Sequence, residues 1–192
     1  MYRNKQYGKY MVNYAMEVGK IFNPYRCQIC GETYLGSAAS DRCPFCGAHG
    51  RWMVGAAEWV KTGKVELCQQ SYEDCLQALD LEVNNAAFYK CAQQNAQTQV
   101  TEAIFKRLHK QEMEHAELLA EMAGVEEPAL PAANCVAKDD AQNLADAHAR
   151  EQRAIQLYLQ FADRAPEKRV QDVFRALADI EAEHLKISNI YR

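Results

Sequence analysis

Two segments of this chain, 69 residues apart, carry the same pattern: a glutamate, a tyrosine seven residues on, and an E-x-x-H motif starting thirty residues after that first glutamate. In the first copy these are Glu82, Tyr89, Glu112 and His115; in the second they are Glu151, Tyr158, Glu181 and His184. The likeness extends around the motif. "FKRLHKQEMEH" (105–115) maps onto "FRALADIEAEH" (174–184), matching Phe105 with Phe174 and Leu108 with Leu177. Such a repeat constrains a fold strongly, because each copy is one supersecondary unit that buries its apolar face against the other.

Each unit reads as a helical hairpin. Val170, Val173, Phe174, Leu177, Ile180, Ile187 and Ile190 recur at helical spacing, and their stripe runs through Glu181 and His184. In an antiparallel hairpin, residues equidistant from the turn share one level. The midpoint of Glu82 and Glu112 falls in "NAQTQ", and that of Glu151 and Glu181 falls on Pro166. Turns are expected at both places on independent grounds. Ser71 with Asp74 resembles a capping box and predicts a first helix over about 71–95. A second over about 99–122 ends at Gly124, a third covers about 140–164, and Pro166 suits the first turn of a fourth. The Pro-rich crossover between the second and third can span the bundle at ~3.3 Å per residue. Exchange of helices between subunits is therefore open but not forced.

The four glutamates then share one level of a four-helix bundle, with each histidine one turn along. Four buried carboxylates without cations would be very unfavourable. Two divalent metals cancel their charge, and one Glu from each of two helices plus E-x-x-H from each of the others is the ligand set of dinuclear carboxylate bundles. Glu82, Glu112, His115, Glu151, Glu181 and His184 are the expected metal ligands. Tyr89 and Tyr158, two turns from Glu82 and Glu151, are expected to donate hydrogen bonds to ligand carboxylates. His109 and His148 also lie one turn from site glutamates but read as satisfied core histidines.

"CQICGETYLGSAASDRCPFCGAHG" supplies Cys27, Cys30, Cys43 and Cys46 as C-x2-C-x12-C-x2-C, two knuckles offering four thiolates to one tetrahedral metal. Gly31 and Gly47 follow the second Cys of each pair, where permissive backbone angles are needed. Ligand type allows either iron or zinc. Iron would make the module a one-electron carrier, zinc a structural staple. Cys68, Cys75, Cys91 and Cys135 are scattered and read as buried packing, with disulfides not expected.

Composition divides the chain into a Tyr-rich arm (1–24), the Cys/Gly-rich ribbon (25–56), a linker (57–70) and an Ala-, Leu-, Glu- and Gln-rich bundle (71–192). Tyr7, Tyr10, Met11, Tyr14, Val18 and Ile21 hint at a short helix in the arm. A net charge of −4 without a basic block gives a nucleic-acid partner no electrostatic support. No apolar run indicates a signal peptide or membrane helix, so a reducing, cytoplasmic setting is expected.

With both constellations in hand, residues 25–190 resemble the rubrerythrin family. The twelve-residue gap and "CPFCGA" are similar to its rubredoxin-like module. "LEVNNAAFY", the two E-x-x-H helices and "NLADAHAREQRAIQLYLQFA" are similar to its ferritin-like bundle. The ribbon comes first, as in reverse rubrerythrins. The resemblance implies a mainly α fold, a ferritin-like antiparallel four-helix bundle preceded by a small rubredoxin-like ribbon. It implies two non-haem irons in the bundle, one iron (or zinc) in the ribbon, and reduction of hydrogen peroxide to water. Electrons would come through the ribbon from a reductase or small rubredoxin-like carrier, and a homodimer is implied. One departure stands out: the additional Glu that the family carries three residues after the third-helix ligand is Ala154 here, and its repeat partner is Asn85. That favours a competing reading, ferroxidase or oxygen-reductase chemistry at the same site. A zinc ribbon on a metal-holding bundle without turnover is the third.

Overall fold

A computed structural model describes residues 22–61, 65–132, 135 and 139–191. The helix expected in the N-terminal arm lies outside the described residues.

The ribbon is built on three short strands, β1 (Asn23–Cys27), β2 (Thr33–Gly36) and β3 (Met53–Gly55), antiparallel in the order β2-β1-β3. Tyr25 pairs with Tyr34 on one side of β1, and Cys27 with Met53 on the other. Each knuckle closes when the glycine after its second cysteine turns left-handed. Gly31 has φ 82° and donates to Cys27 O at 2.9 Å; Gly47 has φ 85° and donates to Cys43 O at 3.0 Å. Both are angles that a side chain disfavours.

Four helices follow: α1 (Gln69–Gln94), α2 (Gln99–Ala123), α3 (Asp140–Arg164) and α4 (Lys168–Tyr191). Their ends differ from expectation in two places. Cys68, not Ser71, caps α1, its Sγ accepting from Ser71 N at 3.4 Å. Ser71 lies inside the first turn, buried, and donates to Glu167 Oε2 at 2.6 Å. Pro166 stands two residues ahead of α4 rather than in its first turn, and Glu167 O accepts the first helical bond from Gln171 N. Elsewhere local signals suffice. Thr98 and Thr101 form a reciprocal cap at the start of α2, and Gly124 closes its end at φ 69°.

Helices α1 with α2, and α3 with α4, are the tightly packed hairpins. Polar contacts fix how the hairpins join. Asp140, opening α3, accepts from Gln97 N and Thr101 Oγ1 at the α1–α2 turn. Arg164, closing α3, pairs with the buried Asp74 near the start of α1. Helix α3 therefore runs antiparallel to α1, and the crossover between α2 and α3 returns along the whole bundle within one chain.

That crossover is pinned by a disulfide between Cys91 and Cys135, with a Cα–Cα distance of 5.9 Å. This corrects the expectation that both thiols merely pack: the crossover brings Cys135 back beside the last turns of α1. Cys75 is buried as expected, and burial pushes its thiol up to about 12. Cys68 is exposed, its cap role overriding the burial expected of it. Among the described residues, no helix is long and apolar enough to cross a membrane.

The apolar core is continuous from bundle to ribbon. Cys27, Ile29, Cys43, Cys46 and Ala48 belong to the same buried cluster as Leu119, Phe174, Leu177 and Ile180. Burial of this kind stabilises by about 25 cal/mol per Å², so the ribbon is held by its own apolar face as well as by polar ties.

Candidate metal centres

Each helix delivers its polar residues to the bundle's midplane. Glu82 comes from α1, Glu112 and His115 from α2, Glu151 from α3, Glu181 and His184 from α4. All are buried, none more than 2% exposed. They form two overlapping groups: Glu82, Glu112, His115 and Glu181, and Glu112, Glu151, Glu181 and His184, with donor atoms within 4.8 Å of one another in each. Glu112 and Glu181 belong to both groups, while Glu82 and Glu151 each serve one. His115 Nδ1 lies 3.3 Å from Glu181 Oε1 and 3.5 Å from Glu82 Oε2. His184 Nδ1 lies 2.7 Å from Glu181 Oε2 and 3.2 Å from Glu112 Oε1. The two rings are nearly parallel, at 16°.

The donor set fits two cations. Among the described residues, nine of its buried atoms have no hydrogen-bond partner, including both oxygens of Glu112 and of Glu181 and Nδ1 of both histidines. Orphaned polar atoms at this density are costly unless something positive sits among them. The electrostatics agree. Burial, then the neighbouring carboxylates, pushes Glu112 and Glu151 well above the ordinary carboxylate range. Burial opposes ionisation of Glu181 too, but His184 and His115 outweigh it and hold that group low.

The tyrosines support this layer across the repeat rather than along it. Tyr89 Oη donates to Glu151 Oε1, and Tyr158 Oη donates to Glu82 Oε1. Each hairpin thus orients the other's outer glutamate. His109 and His148 stay outside the cluster, His109 Nδ1 at 2.9 Å from Ala86 O and His148 Nδ1 at 3.3 Å from Ser188 Oγ.

In the ribbon, Cys27 Sγ lies 3.9 Å from Cys46 Sγ, and Cys30 Sγ lies 3.7 Å from Cys43 Sγ. Tetrahedral thiolates at ~2.3 Å from a metal stand about 3.8 Å apart, so the four sulfurs fit one ion. Ile29 N donates to Cys27 Sγ at 3.4 Å. Hydrogen bonding among the sulfurs drives their pKa values apart, Cys43 down and Cys46 up.

The bundle grips the ribbon by the carbonyls of its knuckles. Arg169 donates to Gln28 O and to Ile29 O, both at 2.6 Å, and Arg107 donates to Phe45 O at 3.0 Å. Arg51 pairs with Asp179 at 2.7 Å and Arg42 with Glu183 at 3.0 Å. One further tie joins the two centres directly: His115 Nε2 lies 2.9 Å from Cys46 O. A carbonyl only accepts, so Nε2 carries a proton and Nδ1 is the ring nitrogen left facing the carboxylates, where a metal would take it as a ligand. No sequence signal reports this contact, because His115 and Cys46 lie in modules of different pattern.

Comparison with known proteins agrees with this architecture. Residues 73–189 match the ferritin-like domain, and residues 25–51 match the rubredoxin-like domain of rubrerythrin. The chain belongs to the ferritin-like family. Its particular arrangement, with the rubredoxin-like ribbon ahead of the bundle, is that of a reverse rubrerythrin. It is 28% identical over 112 residues to reverse rubrerythrin-1 of Clostridium acetobutylicum, covering 52% of this chain and 61% of that protein. The chain therefore spans about six-tenths of that relative's length. No solved structure matches it.

Proposed function

We propose that this chain is a non-haem di-iron peroxidase, reducing hydrogen peroxide to water with electrons passed from an iron-loaded four-cysteine ribbon. Two electrons and two protons convert one peroxide to two waters. A di-iron pair supplies the chemistry, accepting and releasing electrons at a site able to bind peroxide.

The chain's residues give that chemistry its setting. Glu112 and Glu181 face both metal positions, while Glu82 with His115 and Glu151 with His184 complete one end each. Tyr158 and Tyr89 hold the outer glutamates in orientation. The observation that carries the proposal is the hydrogen bond from His115 Nε2 to Cys46 O. It links a cysteine of one centre to a ligand of the other through one carbonyl and one imidazole. A purely structural zinc staple has no use for such a link. The electron source is a reductase or small rubredoxin-like carrier meeting the ribbon near Cys30, the half-buried member of the four. A cytoplasmic homodimer is the setting carried over from the family resemblance.

Ala154 and Asn85 favour a second reading, oxygen reduction or iron oxidation at the same pair. Neither supplies the additional carboxylate that distinguishes the family's site. Rapid mixing of the anaerobically reduced, iron-loaded protein with peroxide and with oxygen separates the two. Peroxide should oxidise the bundle first and the ribbon next, faster than oxygen does. Equal or faster reaction with oxygen gives the site to the second reading. A colourless ribbon that binds zinc rather than red ferric iron would end both redox readings of that module.

A further inference from the structure

The ribbon covers the face of the bundle formed by α2 and α4, gripping it through Arg107 and His115 on one helix and Arg169, Asp179 and Glu183 on the other. The ribbon leaves the opposite face, between α1 and α3, uncovered among the described residues. A groove of about 610 Å³ lies there, lined by Asn84, Asn85, Phe88, Arg150, Leu157 and the crossover's Pro131 among others. Asn85 is the buried polar group in that lining, 2% exposed.

Asn85 sits on α1 three residues after Glu82 and four before Tyr89, both of which reach the carboxylate cluster. Its side chain shares their face. Arg150 Nη1 donates to Asn85 Oδ1 at 3.1 Å, while the guanidinium packs over Phe88 at 4.3 Å. Arginine has donors only, so the amide oxygen must face it and the NH2 group must turn away. That Nδ2 is buried and has no partner among the described residues. A buried donor left unmade is costly, and its repeat counterpart is the apolar Ala154, so the repeat does not require it.

We propose that the α1–α3 groove admits a small oxygen-based oxidant to the metal pair, and that Asn85 Nδ2 donates a hydrogen bond to it on arrival. Arg150 is a positioning residue that fixes which way the amide points. The inference rests on the two-metal reading above and names the route and the receiving group for its substrate. Electrons then reach the pair from the α2–α4 face and oxidant from the α1–α3 face.

The test uses the full chain loaded with iron and oxidised, titrated with azide, a small anion that accepts hydrogen bonds. Charge-transfer absorption reads binding, and metal content is counted beforehand. Asn85→Ala should weaken azide about tenfold, the worth of one hydrogen bond, with iron content unchanged. Arg150→Met should do the same, while Arg150→Lys, still a donor, should stay near wild type. Gln156→Trp, at the exposed rim of the groove, should slow azide binding several-fold. Ser40→Trp is its control, placed in the cleft of about 390 Å³ between ribbon and bundle that reaches His184. Unchanged azide affinity in Asn85→Ala, or slowing by Ser40→Trp rather than Gln156→Trp, overturns the inference. Fewer than two irons in the wild-type bundle overturns the two-metal reading itself, and shows in the metal count before azide is added.

Discussion

His115 and Cys46 meet at 2.9 Å, the ring's Nε2 against the backbone carbonyl, so the second knuckle of the ribbon is keyed to the metal-facing helix α2. The keying depends on Gly47. Its φ of 85° is left-handed, and a Cβ there would come 2.2 Å from Gln111 Nε2 and 3.3 Å from Ile180 Cγ2.

Gly47→Ala strains that left-handed turn and crowds Gln111, so it should shift the knuckle off the bundle while the chain keeps all four thiols and all six bundle donors. The expected result is full metal content with ribbon oxidation slowed after peroxide mixing, by up to about a hundredfold for a displacement near 1 Å. Gln111→Ala alone should transfer at the wild-type rate. Wild-type transfer in Gly47→Ala would mean that electrons do not use this contact.

The crossed tyrosines make a prediction about metal affinity. Removing the Tyr89 or Tyr158 hydroxyl frees an outer glutamate of the opposite hairpin to rotate. Each Tyr→Phe change should cost about ten- to a hundredfold in metal affinity, measured by competition with a chelator of known strength. Because the hydroxyls act on different glutamates, the double variant should lose roughly the product of the two. A double loss no larger than a single one would mean that the outer glutamates are already fixed by something else.

Cys91 and Cys135 close a loop across 44 residues of sequence. Such a constraint stabilises by about 4 kcal/mol in the chain-entropy account. The Cys91→Ser/Cys135→Ser double variant should therefore melt roughly 10 °C lower. Reductant should lower the wild-type midpoint towards that value and leave the variant's unchanged, which separates the disulfide from any effect on the ribbon thiols.

How legible each feature was follows from how local its cause is. The end of α2 at Gly124 and the positive φ of Gly31 and Gly47 are decided within a few residues, and sequence suffices for them. The carboxylate–histidine layer was legible because a repeat supplies relative height, and height is what an antiparallel hairpin preserves. Rotation and cross-helix partners were not. Tyr89 could be placed on the Glu82 face, but its choice of Glu151 depends on how two hairpins dock. Cys68 displaced Ser71 as the cap of α1 because Glu167, from the α3–α4 turn, claims the Ser71 hydroxyl and the Cys68 amide at 2.6 Å each. The disulfide needed the path of the crossover, which its Pro-rich composition does not specify.

The buried carboxylates give the metal-free protein an inverted pH dependence. Glu112 and Glu151 titrate well above their ordinary 4.5 in the folded state, chiefly through burial. Burial alone would lower His115, but Glu82 and Glu181 outweigh it and hold it well above 6.5. All three groups hold protons in the folded state that the unfolded chain has released. Stability must then fall as pH rises from about 5 towards 8. Glu181 shifts the opposite way, but it gives up its proton below that window and leaves the slope unchanged. Metal binding demands the deprotonated donors, so affinity should rise over the same range. Melting midpoints of the chelator-treated protein should decline from pH 5 to pH 8, while the gain on adding ferrous iron anaerobically should grow. A metal-free midpoint that climbs with pH would mean that these carboxylates are not buried together without a cation.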